Sequence, residues 1–104
     1  MDFLPRYAAF LAITCIVELA IVKAMTHRRA PRPGVLEILA FNLFTHPLAM
    51  LAIMEDIPFL TTEIGVVIIE AILYRTVCRL SWGWAASVSL VANGVTAYLS
   101  IFIP

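Results

Sequence analysis

Charge is scarce in this chain. Only 13% of its 104 residues are Asp, Glu, Lys or Arg, against about 25% in an ordinary soluble domain. Seven bases cancel seven acids, and no basic tract offers itself to nucleic acid. Cysteine is limited to Cys15 and Cys78, with no CxxC pair and no metal-type spacing. Both cysteines read as small, lipid-compatible residues. The four glycines form no phosphate-binding loop, the two histidines form no HExxH, and neither GxSxG nor a Ser/His/Asp set occurs. These absences argue against an enzyme, and no cofactor or metal is expected.

What the chain has in abundance is apolar surface. Hydrophobic residues make up 62% of it, and the mean hydropathy is +0.98, so a bilayer is its natural solvent. About 20 apolar residues cross a bilayer as a helix, and four such segments fit. The first is predicted from Phe3 to Met25 and stops at "THRRAPRPG", where prolines and a glycine break the helix. The second runs from Val35 to Met54 and stops at "EDIP". The third starts at Pro58 or Thr62 and ends at Arg79, with "TTE" at 61–63 placed to cap its first turn. The fourth follows "RLSWGW" and covers Trp82 to Ile103. A soluble bundle would need a polar face on every helix. Val66 to Leu73 has only Glu70, and Val35 to Met54 has no charged face. The fold class expected is therefore all-α, a single transmembrane domain over residues 1–104.

The start of the chain does not read as a signal peptide, because its positive charge follows the apolar run and Glu18 lies inside it. A retained transmembrane helix is expected there. Lys23, Arg28, Arg29 and Arg32 flank the first loop, Arg75 and Arg79 flank the third, and the second has Glu55 and Asp56. The positive-inside rule then puts loops 1 and 3 in the cytoplasm and both termini outside. Arg6 is the one dissenting charge. Trp82 and Trp84 suit the cytoplasmic interface, and Phe3, Tyr7, Tyr98 and Phe102 the outer one.

The two halves look like copies. "IVELAIVK" (16–23) lies over "IIEAILYR" (68–75), pairing Glu18 with Glu70 and Lys23 with Arg75. "LAFNLFTHPL" (39–48) lies over "LVANGVTAYL" (90–99), pairing Asn42 with Asn93 and Thr45 with Thr96. Each hairpin reads E … N-x-x-T. A unit of two spans inserts the same way up each time, so this predicts a parallel repeat about an axis along the membrane normal. Repeat 1 covers about 3–54 and repeat 2 about 58–103.

Counting from the cytoplasmic ends, Glu18 and Asn42 both sit about eight residues in, a depth of roughly 12 Å at 1.5 Å per residue. Glu70 and Asn93 are level in the same way. The expectation is that each Asn donates to the Glu of its own hairpin. Asn42, Thr45 and His46 share one helix face, so "NLFTHP" marks the protein-facing side of helix 2. Pro47 frees a carbonyl for a neighbouring donor.

The candidate intramembrane polar site is thus Glu18, Asn42, Thr45, His46, Glu70, Asn93 and Thr96. A carboxyl at this depth costs about 2.5–3.5 kcal/mol on insertion scales. The first reading of Glu18 and Glu70 is hydrogen-bonded packing. The second is proton or cation coupling, and the third is pairing with a partner subunit. His46 has no second ligand at i+3 or i+4, so packing is preferred to metal or pigment ligation. Glu37 lies in the first turn of helix 2, where the helix dipole favours an acid. Glu63, seven residues before Glu70, reads first as an interfacial first-turn acid and second as a pathway entrance. Lys23 and Arg75 are expected to snorkel to headgroups. The small residues Ala85, Ala86, Ser87, Ser89, Ala92, Asn93, Gly94 and Ala97 permit close helix contact in helix 4.

In size and span number the chain resembles the small multidrug-resistance transporters, which use a membrane-embedded Glu in helix 1. Glu18 lies deeper along helix 1 than in that family, and no residue role carries over. "NLFTHPLA", "EIGVVIIEAILY" and "SLVANGVT" resemble a family of uncharacterised small prokaryotic multi-pass membrane proteins. That resemblance covers about two-thirds of the chain and implies no activity. The leading functional expectation is a non-enzymatic accessory or scaffold subunit of a membrane complex. Its partners would be the lipid bilayer and a larger membrane protein or further copies of itself. The alternative is a small proton- or cation-coupled transporter or channel that uses Glu18 and Glu70.

Overall fold

The structure, a computed structural model, describes residues 3–28 and 33–100, with side chains from Tyr7 onward. It is all-helical among the described residues, with α1 over Phe3–Thr26, α2 over Val35–Met54, α3 over Phe59–Thr76 and α4 over Trp82–Ser100. Each helix packs on its sequence neighbours, and α4 closes the ring against α1. Among the described residues α1 lies diagonal to α3, and α2 to α4. The bundle measures 44 × 23 × 20 Å. Two of its helices, over Tyr7–Thr26 and Val35–Met54, are long and apolar enough to cross a membrane. Helix α3 carries Glu63, Glu70 and Arg75, and α4 is built from many small and polar residues, so these two are less apolar.

Local chemistry sets the helix ends. The Gly34 N–H at the start of α2 donates to Glu37 Oε1 at 2.8 Å, which satisfies one of the donors a helix N-terminus leaves open. Helix α2 ends in a Schellman motif. The Ile57 N–H reaches the Ala52 carbonyl at 3.0 Å and that of Asp56 reaches Ile53 at 3.1 Å. Asp56 takes the left-handed conformation, φ 67°, usually given to glycine there. After α3 the chain turns through Arg79, also left-handed at φ 63°. Ser81 then caps α4 by accepting the Trp84 N–H at 3.3 Å.

The predicted third helix needs two corrections, at its end and at its cap: it stops at Thr76, three residues short of Arg79. Helix α3 begins at Phe59, after Pro58, so "TTE" lies inside its first turns and caps nothing. The Thr62 hydroxyl donates back to the Pro58 carbonyl at 3.1 Å, an intrahelical bond. Residues 101–103, placed in the fourth helix from sequence, and Arg29 to Arg32 in the first loop lie outside the described residues. Pro47 sits within α2 without ending it. The two basic residues at the hairpin ends both reach across their loops. Lys23 Nζ donates to the Pro33 carbonyl at 2.7 Å, and the Arg75 guanidinium stands 5.6 Å from the Trp82 ring centre.

The distribution of polarity is inverted relative to a soluble bundle. Leu36, Ile16, Leu60 and Leu90 are more than 60% exposed, whereas Glu18, Asn42 and Glu70 have no exposure. The interior has two parts. Val22, Ile38, Phe41, Tyr74, Cys78, Leu80, Ala85, Val88 and Ala92 form an apolar cluster around the ends joined by the α1–α2 and α3–α4 loops. Phe41 and Tyr74 meet edge to face there, 5.1 Å between ring centres. Cys78, in the α3–α4 connection, donates to Glu37 Oε1 at 3.6 Å. Burial and then the Glu37 charge push its thiol up to about 12, so it is an inert packing group. The second part of the interior is polar.

Candidate functional site

Helical spacing brings the polar residues inward. On α1 Thr14, Glu18, Val22 and Thr26 recur every fourth residue and are buried, and on α3 the same holds for Thr62, Val66, Glu70 and Tyr74. This period places one carboxyl on each of two diagonal helices, facing the bundle axis. The two carboxyls come within hydrogen-bond reach of one another across the bundle axis, and the Glu18 charge acts on Glu70.

Glu70 is fully provided with donors. Asn93 Nδ2 donates to Glu70 Oε1 at 2.9 Å. Its second proton goes to the Ser89 carbonyl, also at 2.9 Å. From the other side, Thr45 Oγ1 lies 2.5 Å from Glu70 Oε2 and 3.0 Å from the Phe41 carbonyl. A hydroxyl has one proton to give, and the shorter contact has the length of an O–H···O⁻ bond. Glu70 therefore ties α3 to both its neighbours. Ser89 Oγ adds a bond to the Val67 carbonyl at 2.7 Å, which the small residues of α4 make possible.

Glu18 has a different environment. No amide, hydroxyl or ring N–H among the described residues donates to either of its oxygens, and its hydrogen-bonding neighbour across the axis is the Glu70 carboxyl. Its nearest ionisable neighbour on α2 is His46, with Nε2 at 3.5 Å from Oε2, too long for a strong hydrogen bond. Asn42, expected to donate to Glu18, instead gives its proton to the Ile38 carbonyl of its own helix at 2.9 Å, and its Oδ1 is buried without a donor. Thr96, on the adjoining α4, likewise turns to its own helix and bonds the Asn93 carbonyl at 3.1 Å.

A cavity of about 130 Å³ opens at the end of the bundle where α2 meets α3 and where α1 begins. Tyr7, His46, Glu63, Thr96 and Ser100 supply its polar wall, and Phe10, Ala49, Met50, Ile53 and Phe59 part of its apolar one. His46 thus touches the cavity on one side and Glu18 on the other.

The seven residues predicted as a polar site all lie in or beside this interior, and six of them are buried; His46 keeps some exposure at the cavity. Sequence reasoning missed Tyr74, whose buried hydroxyl also lacks a hydrogen bond. Its position four residues after Glu70, on the same face, was the available signal. Among the described residues no cluster of three His, Cys, Asp or Glu suited to a metal ion occurs. Comparison with protein-family models, curated proteins and solved structures finds no match to the chain.

Proposed function

We propose that the chain is a multi-pass membrane protein of four spans, built from two parallel hairpin repeats, that serves as a non-enzymatic accessory or scaffold subunit of a membrane complex. The observation that supports this most is the inversion of polarity. Large apolar side chains such as Leu36, Phe44, Leu51, Ile68 and Leu90 cover the outside, while Glu18, Asn42, Thr45, Glu70 and Asn93 are inside. A lipid environment leaves buried polar groups as the specific adhesive between helices. Loops 1 and 3 face the cytoplasm in this reading, on the positive-inside argument. The test is extraction from native membranes in mild detergent followed by mass spectrometry of the intact complex. A stoichiometric larger membrane protein is the expected result. A monomer or a pure homo-oligomer overturns the accessory-subunit reading.

One observation favours the second reading, a proton- or cation-coupled transporter or channel. Packing alone gives no reason for a buried carboxyl that no amide, hydroxyl or ring N–H serves and that faces a second carboxyl, and Glu18 is one. A coupling protein needs such a group, because a site must bind and release its ion. Flux into proteoliposomes that is lost in Glu18→Gln supports this reading, and equal flux in the variant removes it.

A further inference from the structure

Glu18 stands out from the other buried polar groups by what surrounds it. Its carboxyl is fully buried, no amide, hydroxyl or ring N–H among the described residues donates to either oxygen, and its hydrogen-bonding neighbour is the Glu70 carboxyl, which can share a proton with it but gives none of its own when ionised. An ionised carboxylate in a dry interior without donors is costly to hold, while a carboxylic acid is not. The groups that face it can be named for every helix packed against α1. Helix α2 brings His46. Helix α3, across the bundle, brings Glu70 and Glu63 and Tyr74. The buried residues of helix α4 include no titratable group, and Cys15 lies on α1 itself. No Lys or Arg is among them.

Access to Glu18 is one-sided. Toward the α1–α2 and α3–α4 loops, Val22, Ile38, Tyr74, Leu80, Ala85 and Val88 close the interior with apolar side chains. In the opposite direction His46 separates Glu18 from a cavity of about 130 Å³, room for a few water molecules. Glu63 lies in the wall of that cavity. The imidazole is the only group of α2 between the cavity and the carboxyl that can both take up and pass on a proton near neutral pH.

We propose that Glu18 is a proton-binding site loaded from this one end of the bundle, with His46 passing the proton between the cavity and Glu18 Oε2. The step is a transfer in which a proton reaching the cavity-facing edge of the imidazole is matched by one delivered from Nε2 to the carboxylate. Release runs in reverse. Glu70, held by Thr45 and Asn93, stays fixed while Glu18 exchanges. The inference goes beyond the subunit reading and does not depend on a partner, since it applies to the isolated chain in detergent.

The experiment is infrared difference spectroscopy of the purified protein after a pH jump. The protonated-carboxyl band of Glu18 is identified by its loss in Glu18→Gln and its retention in Glu70→Gln. In His46→Ala the band keeps its amplitude but appears at least tenfold more slowly, and added imidazole, small enough for the enlarged cavity, restores the rate. His46→Phe keeps the wall, slows the band similarly and is not rescued. Circular dichroism and a monodisperse elution profile certify the fold of each variant. Unchanged rates in both His46 variants overturn the relay. A band that survives Glu18→Gln overturns the site. Loss of the band on adding sodium at constant pH overturns the proton as the ligand in favour of a monovalent cation.

Discussion

Glu18 and Glu70 are aligned by the proposed repeat and are equally buried, but their surroundings differ. Glu70 receives the Asn93 amide from α4 and the Thr45 hydroxyl from α2. By the sequence correspondence, Asn42 and Thr96 would serve Glu18 in the same way. Both instead bond carbonyls of their own helices, and Glu18 meets His46. The contrast turns on one position. His46 corresponds to Ala97 in the second half, so an imidazole beside Glu18 has only a methyl group as its counterpart. Two carboxyls placed alike by helical period thus divide into a fixed anchor and a group free to change its protonation.

The sharpest way to break this comparison is to remove each carboxyl in turn. Glu70→Leu strands one Asn93 N–H in the interior and sends the Thr45 hydroxyl back to the Phe41 carbonyl, and it is expected to cost about 2–4 kcal/mol, about 1–3 for the unsatisfied N–H and about 1 for the lost Thr45 bond. Glu18→Leu strands no donor, and it replaces an unpaired buried acid with a group of similar volume. Its effect is expected to lie within about 1 kcal/mol of zero, or to be stabilising. Reversible unfolding in mixed micelles measures both, and equal losses would end the distinction between anchor and exchanger.

The amides and hydroxyls offer a smaller version of the same contrast. Asn93→Leu takes the donor from Glu70 and should cost about 2 kcal/mol, whereas Asn42→Leu removes only a bond within one helix and should cost less than about 1 kcal/mol. Thr45→Val should exceed Thr96→Val for the same reason. A double-mutant cycle between Thr45 and Glu70 is expected to show coupling of about 1 kcal/mol or more, and no coupling would remove the link between α2 and α3.

At the hairpin ends the two halves are alike, so smaller and matched effects are expected. Lys23→Ala loses one bond to the Pro33 carbonyl, worth about 1 kcal/mol. Arg75→Ala loses a partly exposed contact with the Trp82 ring, worth about 0.5–1 kcal/mol. The smallest effects belong to the turns. Asp56 and Arg79 both hold left-handed backbone, so Asp56→Gly and Arg79→Gly should each change stability by no more than about 1 kcal/mol, with Arg79→Gly the more favourable. A clear loss in either would mean that its side chain, and not its backbone, shapes the turn.

The number of helices and most of their ends were readable from sequence, because prolines, glycines and charges interrupt the apolar segments at regular intervals. The start of α3 fell at the first of its two predicted positions, beside Pro58, but its cap was misplaced, since Thr61 and Thr62 fit a cap as well as a helix interior. The inward placement of Glu18, Asn42, Thr45, Glu70, Asn93 and Thr96 also followed from sequence, because a period near 3.6 residues aligns them on the helix faces that carry few other polar groups. Tyr74 escaped notice as a residue that passes equally for an interfacial aromatic.

Pairing was beyond sequence reasoning. Depth along a helix made Asn42 level with Glu18, but hydrogen bonds depend on rotation and on distance between helices as well as on depth. The Ile38 carbonyl lies one turn away on the same helix, and the Asn42 amide takes it. Sequence alone determined that this chain would place two carboxyls and their amide and hydroxyl companions at the level of its buried midsection, because length, hydropathy and helical period are properties of single segments. Only the tertiary structure decided which carboxyl is anchored and which is left beside a histidine and a cavity. That outcome depends on angstrom differences between four packed helices, and no single segment carries that information.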